Sequence, residues 1–409
     1  MNIVYLHQYF KTPFQPGGTR SYEFARRLVQ RGHTVHMVTS IRQPQGSQRG
    51  WQESTVAGIH VHAIPVPYGN VMSYRQRIAA FLRFAYHAAG SAARLAPDIV
   101  FATSTPLTIA LPGAYVAWRC RVPMVFEVRD LWPEMPIALG VIRGKVPIAA
   151  ARWLERFAYR NAARVIALSP GMRDGVVASG YPSERVSVIP NSCDLDLFTV
   201  PSASAQAFRS TLPVANGCAL VTYAGSLGTL NGVGYLAQIA AEYRKLDAKE
   251  ASFLVVGDGR ERSSIEALAS ELGVLNSSFH ILGQLPKAEI PLLLSATDVA
   301  TSLFIDLPEM RKNSAIKFFD ALASGTPIAI NYEGWQADLL RKSGAGLVLP
   351  ADDPPAAAQL LATFLADRDR LAQAGQAARH LAETRFSRDL LSKEFERVLL
   401  LAAEEGRRP

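Results

Sequence analysis

Cysteine is scarce in this chain, which has three in 409 residues: Cys120, Cys193 and Cys218. No two of them have the CxxC spacing of a metal or redox motif, and three cysteines cannot build a disulfide framework for a chain of this length. The cysteine content therefore indicates a reducing compartment. The first ten residues, MNIVYLHQYF, also lack the basic and apolar segments of a secretory signal peptide.

The charge-free stretch 99–118 is about long enough to cross a bilayer. It contains Pro106, Pro112 and Gly113, however, together with a polar run of Thr and Ser residues. These residues favour a strand, a turn and a buried helix over a membrane span.

Acidic residues are sparse in the first half of the chain. Residues 1–200 hold 22 basic and 11 acidic side chains, whereas residues 201–409 hold 21 basic and 24 acidic ones. All but two of the 22 bases, Lys11 and Lys145, are Arg. An Arg-rich half favours contact with phosphate groups or with an anionic membrane. The chain contains no helix-turn-helix, zinc-finger or RNP-type pattern, which argues against a nucleic-acid partner.

Apolar runs typical of strands alternate with amphipathic patterns typical of helices along the whole chain. The alternation restarts near residue 220, so the sequence predicts an α/β protein with two doubly wound, Rossmann-like domains, each a parallel sheet covered by helices on both faces. The predicted strands are 3–6, 34–39, 60–64, 99–102, 122–128 and 165–168, then 220–224, 252–256, 280–282, 299–302, 327–330 and 346–349.

The predicted domains span residues 1–200 and 201–385. The small, polar segment 201–206 has the composition of a linker. Residues 386–409 contain one further amphipathic helix, which either ends the second domain or packs back across the first. In open parallel sheets, ligands bind beside the carboxyl ends of the strands, so two such domains are expected to form a site in the cleft between them.

Two loops of the first domain are candidates for chemistry. Gly17 and Gly18 precede the first helix, where backbone can approach an anionic ligand, although an ordinary turn would have the same sequence. Arg129 and Asp130 follow the hydrophobic strand 124–128 directly. Charges at a buried strand end need either an ion pair or a polar ligand, and the position favours a ligand site.

Two loops of the second domain are also glycine-rich. Gly225 and Ser226 follow its first strand, and the GDG turn follows its second strand with Arg260 after it. Neither loop has the GxGxxG pattern or the Walker lysine, which excludes a P-loop NTPase. The candidate donor-binding residues in these loops and in the one after strand 280–282 are Gly225, Ser226, Asn231, Gly257, Gly259, Gly283 and Leu285.

The segment 311–327 is predicted to begin a helix near Asn313 or Ser314, either of which would cap it. Lys317 and Asp320 are three residues apart and therefore lie on one helix face. Such a helix can offer its N-terminus and Lys317 to a diphosphate, and Asp320 to a ribose diol. A surface ion pair between the two residues is the plainer alternative.

Several longer motifs resemble the retaining GT-B glycosyltransferases of family four. In chain order these are GGTRSYEFARRLVQRGHTVHMVT, VIPNSCDLDLF, YAGSLGTLNGVGYL, VVGDGRER and KFFDALASGTPIAI. The stretches VFEVRDLWPE and KNSAIKFFDALASG most resemble bacterial fucosamine-type transferases of O-antigen, capsule or exopolysaccharide synthesis. The order and spacing of these motifs carry the resemblance, which implies an acceptor-binding first domain and a nucleotide-sugar-binding second domain.

The resemblance also implies a donor site. In the family, a helix with two acidic residues eight positions apart binds the donor, the second acid holding the ribose and the first facing the sugar. The corresponding residues here are Asp320 and Lys312, so the first position is reversed in charge. Backbone N–H groups near Asn313 and Ser314 would face the sugar and the diphosphate.

The family's diphosphate-binding Arg and Lys correspond to Ser226 and Asn231, and its usual His before an Asp corresponds to Arg129. The chain must therefore draw its phosphate-binding cations from elsewhere. We expect Lys317, Arg260 and Arg129 to supply them, and we assign catalysis to these three residues and Asp130.

The implied reaction moves a sugar, expected to be an N-acetylated hexosamine or deoxyhexosamine, from a UDP-sugar with retention of configuration. The family is described as metal-independent, so neither a metal nor another cofactor is expected. Asp194-x-Asp196 mimics a DxD metal motif but follows Pro190-Asn191, which predicts a turn. No Ser-His-Asp triad is evident.

The acceptor is expected to be a sugar linked to a polyprenyl diphosphate. In segment 73–94, Arg75, Arg77 and Arg83 are interleaved with aromatic and aliphatic residues. Such a helix can lie on an anionic bilayer at the cytoplasmic face of an inner membrane, or it can pack on its own sheet with solvated Arg residues. Two other functions stay open: a nucleotide-sugar 2-epimerase of the same fold, and a degenerate subunit that only binds a partner or a sugar nucleotide.

Overall fold

The computed structural model describes residues 1–15, 17–43, 50–69, 72–130, 132–215 and 217–406. The chain divides into two compact units. The first is Met1–Pro190 together with Asp389–Pro409, and the second is Asn191–Arg388. Each unit is a Rossmann-like α/β layer structure with its own sheet and its own hydrophobic core.

The first unit contains an eight-stranded sheet of order β3-β4-β2-β1-β5-β6-β7-β8. All its pairings are parallel except that of the edge strand β3 with β4. The strands are β1 (Asn2–Leu6), β2 (Thr34–Ile41), β3 (Gln52–Val56), β4 (Ile59–Pro65), β5 (Ile99–Thr103), β6 (Met124–Val128), β7 (Arg164–Ala167) and β8 (Val186–Val188).

Helices cover both faces of this sheet. The helices that precede the second unit are α1 (Arg20–Gln30), α2 (Tyr74–Ala93), α3 (Ala110–Cys120), α4 (Glu134–Ala138), α5 (Lys145–Arg160) and α6 (Pro170–Ala178). Buried residues of α2, α3, α5 and α6 pack on one face of the sheet, whereas α1 packs on the other. The β-strands are apolar on both sides, as expected for a sheet between two helical layers.

The second unit contains a six-stranded, fully parallel sheet of order β11-β10-β9-β12-β13-β14. The strands are β9 (Ala219–Ala224), β10 (Ala251–Val256), β11 (Phe279–Leu282), β12 (Val299–Ser302), β13 (Ile328–Ile330) and β14 (Gly346–Val348). The helices are α7 (Ser202–Arg209), α8 (Gly234–Tyr243), α9 (Arg262–Glu271), α10 (Ile290–Ser295), α11 (Ile316–Ala323), α12 (Trp335–Ser343), α13 (Pro354–Ala366) and α14 (Arg368–Leu381).

The predicted α/β class with two doubly wound sheets is confirmed, with local differences. The edge strand β3 is antiparallel and was not predicted, because its exposed QESTV sequence has no apolar run. The segment 201–206, expected to be a linker, lies largely within helix α7. Linker composition misled here because Ala, Ser and Gln are also tolerated in short surface helices.

The last helix, α15 (Arg388–Gly406), packs on the first sheet. Phe395 is fully buried, with its ring centroid 4.9 Å from that of Phe24 and 4.7 Å from that of Phe101. Tyr5 completes this aromatic cluster at 6.3 Å. The C-terminal segment therefore contributes core to the unit that contains the N-terminus.

We predict that Phe395→Ala lowers the free energy of unfolding of the first unit by about 3–5 kcal/mol, because it removes a buried ring and leaves a cavity. Urea unfolding followed by circular dichroism measures this change. Leu400→Ala on the same helix is the matched control, since Leu400 is 40% exposed and its truncation should cost far less. Equal losses for the two variants would show that α15 is not a core element.

Candidate functional site

The carboxyl ends of β9, β10 and β11 present three loops that are tied together by backbone hydrogen bonds. The Gly225 N–H donates to the Val256 carbonyl at 2.9 Å, and the Gly257 N–H donates to the Leu282 carbonyl at 3.3 Å. The Leu227 N–H donates to the Asp258 carbonyl at 3.0 Å. These loops therefore form one continuous surface at the edge where parallel sheets bind ligands.

Two glycines are required by this close contact. Gly257 has φ of +150°, and a Cβ there would lie 1.9 Å from the Gly225 carbonyl oxygen. Gly232 has φ of +54°, and a Cβ there would lie 3.1 Å from the backbone nitrogen of Ile305. Only glycine allows the backbones to approach this closely. The GDG turn and the Asn231-Gly232 turn thus set the shape of the candidate site.

Lys317 lies on the first turn of α11 and reaches into this loop surface. Its Nζ donates to Asn231 Oδ1 at 2.9 Å. The same nitrogen lies over the ring of Tyr223 at 5.0 Å and the ring of Phe304 at 5.5 Å, both measured to the ring centroid. A Cβ at Gly225 would lie 3.1 Å from Lys317 Cε. The Lys317 side chain is therefore surrounded by a neutral amide, two aromatic rings and a glycine.

Burial lowers the pKa of Lys317 to about 8. Within the described ranges we find no carboxylate paired with its ammonium group. A partly buried cation without a counter-ion is costly, and two aromatic faces offset only part of that cost. The arrangement suits an anionic ligand, which would supply the missing negative charge.

The start of α11 differs from the prediction. The helix begins at Ile316, its N-cap position is Ala315, and no side chain caps it. Asn313 and Ser314 were expected to cap the helix, and this expectation was wrong because both are engaged elsewhere. Asn313 Oδ1 accepts from the Ser314 N–H at 2.5 Å, and Ser314 Oγ accepts from the Asn191 N–H at 3.1 Å. The first backbone N–H groups of the helix consequently have no side-chain cap.

The segment before α11 is held in place by two further hydrogen bonds. The Asn191 side-chain amide donates to the Ser314 carbonyl at 2.6 Å, and Trp335 Nε1 donates to the Asn313 carbonyl at 2.7 Å. Asn191 and Ser314 are both buried. Lys312 lies just before this segment in a short 3-10 turn, partly buried.

Asp320 lies three residues after Lys317 on α11. Burial raises the pKa of its carboxyl group to about 7, and the nearby Arg388 and Lys287 oppose that rise. Arg388 also contacts Asp194, whose Oδ1 lies 3.3 Å from Arg388 Nε. Asp194 therefore belongs to an ion pair. Lys317 and Asp320 are not paired with each other, so the plain surface ion pair is wrong.

The other predicted donor-binding residues are spread along the same edge. Ser226 and Arg260 are exposed, Ser226 accepting through its backbone carbonyl from the Tyr223 hydroxyl at 2.8 Å. Gly259 packs on the backbone of Leu227. Gly283 is exposed after β11, whereas Leu285 packs partly into a small core cluster. Arg260 follows the turn that is hydrogen-bonded to the Gly225 loop. Its positive charge therefore lies on the same loop surface that Lys317 reaches.

A buried ion pair lies at the carboxyl edge of the first sheet. Arg20 Nη2 is 2.8 Å from Glu127 Oε1, and the two side chains are 3% and 0% exposed. Thr103 Oγ1 donates to Glu127 Oε2 at 2.6 Å. Arg20 also donates to the carbonyls of Ile189 at 2.9 Å and of Pro190 at 2.5 Å. All these groups are satisfied, as buried charges require.

Arg129 and Asp130 continue from this ion pair toward solvent. Arg129 is partly buried, with Nη1 3.4 Å from His7 Nε2, and its N–H donates to Ser104 Oγ at 2.9 Å. Burial and the Arg129 charge hold the pKa of His7 well below its usual range, so the imidazole is neutral. Asp130 is exposed and accepts from Thr105 Oγ1 at 3.0 Å. Gly17 and Gly18 are exposed before α1.

The predicted acceptor-side arginines lie on α2. Arg75 and Arg83 are exposed, together with Ile78 and Leu82. Arg77 is less exposed, because it donates to the Met72 carbonyl at 3.1 Å and lies over the Tyr74 ring at 5.8 Å. Among the described helices, none is long and apolar enough to cross a membrane. Nor do the described residues include three His, Cys, Asp or Glu side chains grouped to hold a metal ion.

Two parts of the site were missed from the sequence: the Arg20–Glu127 pair and the neutral His7. The available signal was Glu127 itself, since an acidic residue within the apolar strand VFEV must have a buried partner. Nothing in the local sequence shows that Arg20, more than a hundred residues away, provides it.

Comparisons with known proteins agree with this architecture. Residues 17–192 match the family model of a glycosyl transferase 4-like domain, and residues 205–381 match that of the glycosyl transferases group 1. A 2-deoxystreptamine glucosyltransferase of Streptomyces kanamyceticus is 29% identical over 245 residues, covering 59% of each chain. A putative colanic acid biosynthesis glycosyl transferase, WcaI of Escherichia coli K12, is 22% identical over 277 residues, covering 64% of this chain and 67% of the relative. The first of these matches thus spans only about three fifths of its relative's length.

Solved structures show the same fold at low identity. HepE of Anabaena, in complex with UDP and glucose, superposes with a TM-score of 0.73 at 20% identity, over 98% of this chain and 100% of that chain. WaaG, a glycosyltransferase involved in lipopolysaccharide biosynthesis, superposes with a TM-score of 0.71 at 17% identity, over 97% and 99%. The fold is therefore GT-B. The chain belongs to the group 1 glycosyltransferase family, with a glycosyl transferase 4-like N-terminal domain.

We predict that Glu127→Gln destabilises the first unit by about 3–5 kcal/mol, because it leaves the Arg20 guanidinium buried without a counter-charge. Urea unfolding measures the loss. Glu394→Gln is the control: Glu394 pairs with Arg397 at the surface, where both side chains are about half exposed, and its loss should cost no more than about 1 kcal/mol. Similar values for the two variants would contradict the assignment of the buried pair as a structural anchor.

Proposed function

We propose that the chain is a retaining, metal-independent glycosyltransferase that moves a sugar from a UDP-sugar to a lipid-linked or glycan acceptor in bacterial surface-polysaccharide synthesis. The transferred sugar is an N-acetylated hexosamine or deoxyhexosamine, as in the fucosamine-type transferases that two motifs resemble. This setting is supported by the similarity to the putative colanic acid biosynthesis transferase WcaI, and WaaG, a glycosyltransferase involved in lipopolysaccharide biosynthesis, has the same fold.

The observation that carries the proposal is Lys317. Its ammonium group lies beside the loops that follow β9 and β10, it donates to a neutral amide, and no carboxylate among the described residues neutralises it. The uncapped first turn of α11 adds backbone N–H groups and the positive end of a helix. A diphosphate would satisfy both features. Asn231 occupies the position of the family's phosphate-binding Lys, and here it holds Lys317 instead.

We assign roles to the remaining donor-site residues as part of this proposal. The carboxylate of Asp320 accepts hydrogen bonds from the ribose diol, and the loop at Gly283 and Leu285 binds the base. Backbone N–H groups near Asn313 and Ser314, at the uncapped start of α11, face the sugar, with Lys312 before them. The N–H groups of Asn313 and Ser314 themselves are already bonded to the Met310 carbonyl and to Asn313 Oδ1. Arg260 adds positive charge to the diphosphate at the turn formed by Gly257 and Gly259.

In the proposed reaction the bond between the anomeric carbon and the β-phosphate oxygen breaks, and the acceptor hydroxyl attacks from the same face. The acceptor proton passes to the departing phosphate oxygen, so no protein nucleophile is needed. Lys317 and the helix terminus stabilise the negative charge that develops on the diphosphate. Arg129 and Asp130, with Gly17 and Gly18, are the first unit's contribution to donor binding and catalysis.

The acceptor is proposed to be a sugar on a polyprenyl diphosphate, bound at the cytoplasmic face of an inner membrane. Arg75 and Arg83 on α2 are exposed beside aliphatic side chains, which suits an anionic interface. Arg77 lies on the same helix.

Nucleotide-dependent thermal stability in EDTA tests the donor assignment. At about 100 times its dissociation constant, a ligand adds roughly 2.7 kcal/mol of stability. We expect a selective rise in Tm with UDP over GDP and TDP. A chain that responds to none of the three would be a degenerate, non-catalytic subunit.

We predict that Lys317→Met abolishes most of the UDP-induced rise in Tm and lowers kcat by about 10²–10³-fold, the loss typical for removing one group that stabilises developing negative charge. The matched control is Lys342→Met, because Lys342 is exposed on α12 away from these loops. Turnover of Lys317→Met within twofold of wild type would refute the leaving-group role.

A second prediction concerns pH. Asp320 is protonated below about pH 7 and then loses its negative charge and one of its two accepting oxygens, whereas Lys317 is neutral above about pH 8 and then loses its charge. The kcat/KM for the donor should therefore rise through pH 7 and fall through pH 8. Asp320→Asn should remove the acidic limb and leave the alkaline one. An unchanged acidic limb in Asp320→Asn would assign that limb to another group.

A further inference from the structure

Large apolar side chains are exposed on one part of the first unit. On α2, α3 and α5, eight of them are more than 40% exposed, whereas the described residues of the whole second unit expose only Leu197 and Leu360 to that degree. Trp118 on α3 is 74% exposed and Trp153 on α5 is 61% exposed. Tryptophan is seldom left in water at this level without a partner.

The three helices present these side chains in one direction. Buried residues of α2, α3 and α5 pack on the same face of the first sheet, and α3 contacts both neighbours. On α3, the exposed residues Tyr115, Trp118 and Arg119 have helical spacing of three and four. On α5, Arg152, Trp153, Arg156 and Arg160 repeat that spacing. We call the outward side of these helices the aromatic–arginine face.

The charge of this face has one sign. On α2, α3 and α5, all of whose residues are described, there are eight basic side chains and one acidic side chain, Glu155. Glu155 is buried beneath α5 and is hydrogen-bonded to Tyr159, so it does not neutralise the surface. The exposed part of the three helices is therefore aromatic, aliphatic and positive.

A hollow of about 750 Å³ opens beside Trp118, and Arg121 and Arg185 also line it. The carboxylate of Glu405 at its edge is already paired with Arg164 at 2.5 Å. Two arginines next to a tryptophan offer phosphate binding beside an apolar anchor.

We propose that the aromatic–arginine face binds the surface of an anionic lipid bilayer, with Trp118 and Trp153 inserted at the level of the headgroups. The proposal deepens the proposed function, because it rests on a lipid-linked acceptor and identifies the surface that meets the membrane. It adds α3 and α5 to the arginines of α2. Tryptophan prefers the interface between lipid and water, and each nearby basic residue adds attraction to anionic lipid.

A second copy of the chain is disfavoured as the occupant. A symmetric dimer through this face would bring two positive surfaces together, and like charges across an interface oppose association. An anionic bilayer instead complements both the charge and the exposed aromatic rings.

The test uses the full chain and its own tryptophans. Vesicles with about one third anionic phospholipid should bind the protein, shift its emission to the blue and, when made with brominated lipid, quench it. Neutral vesicles should bind much less, and added salt should weaken binding. The variant Trp118→Phe/Trp153→Phe should lose the quenching, because Trp51, Trp132 and Trp335 are only partly exposed and are not part of α2, α3 or α5.

A charge variant measures the electrostatic part. Arg119→Gln/Arg152→Gln should weaken vesicle binding about thirtyfold, from roughly fivefold for each basic residue near the surface. The control is Arg368→Gln/Arg397→Gln, two exposed arginines outside the face, which should bind as wild type.

The outcomes separate this proposal from the proposed function. All three double variants should keep the UDP-induced rise in Tm, because none of the substituted residues belongs to the donor site. Wild-type vesicle binding by the aromatic and charge variants, a preference for neutral vesicles, or a dimer that the tryptophan variant dissolves would each overturn the membrane face. Vesicle binding without any nucleotide response would leave the face standing and overturn the transferase assignment.

Discussion

The buried ion pair between Arg20 and Glu127 is the constraint on which the first unit depends. Glu127 lies at the end of a central strand with its carboxylate fully removed from water, where an unpaired charge would be very costly. Arg20 neutralises it and also binds the carbonyls of Ile189 and Pro190, the last residues before the chain enters the second unit. The Arg20 guanidinium group therefore connects the start of α1, the end of β6 and residues 189–190, where the first part of the unit ends.

The second unit, by contrast, contains a buried cation that has no counter-ion among the described residues. Lys317 is held by a neutral amide and two aromatic rings, and burial depresses its pKa, because no described carboxylate compensates the charge. A buried lysine with a purely structural role would be expected to have a carboxylate counter-ion, as Arg20 has in Glu127. The contrast between a satisfied and an unsatisfied buried cation is the physical reason for the proposal that Arg20 is structural and Lys317 binds a ligand.

The sequence supported the architecture better than the site. Apolar runs and helical periodicity located nearly every central strand, because those signals are local. The edge strand Gln52–Val56 escaped since it has no apolar run, and the helix cap at Asn313 or Ser314 was wrong because Asn191, far away in sequence, competes for Ser314. Lys317 was predicted as a site residue from its place in a motif, and that role stays a prediction. Its contact with Asn231 and its lack of a carboxylate partner depend on tertiary structure, which local patterns do not encode.

The unequal charge of the two halves acquires a physical meaning in the structure. Many of the arginines in the first 200 residues project from α2, α3 and α5, and these helices have no exposed acidic residue to balance their charge. The second unit is close to neutral, and its Lys317 is a buried cation without a carboxylate partner among the described residues. A broad positive surface attracts an extended anionic partner through many weak contacts, and a single partly buried cation selects a small anion by desolvation and geometry. The two proposals thus assign two kinds of anion recognition to one chain. Added salt is therefore expected to weaken binding at the broad positive surface strongly. It should have much less effect on the binding of a small anion at Lys317.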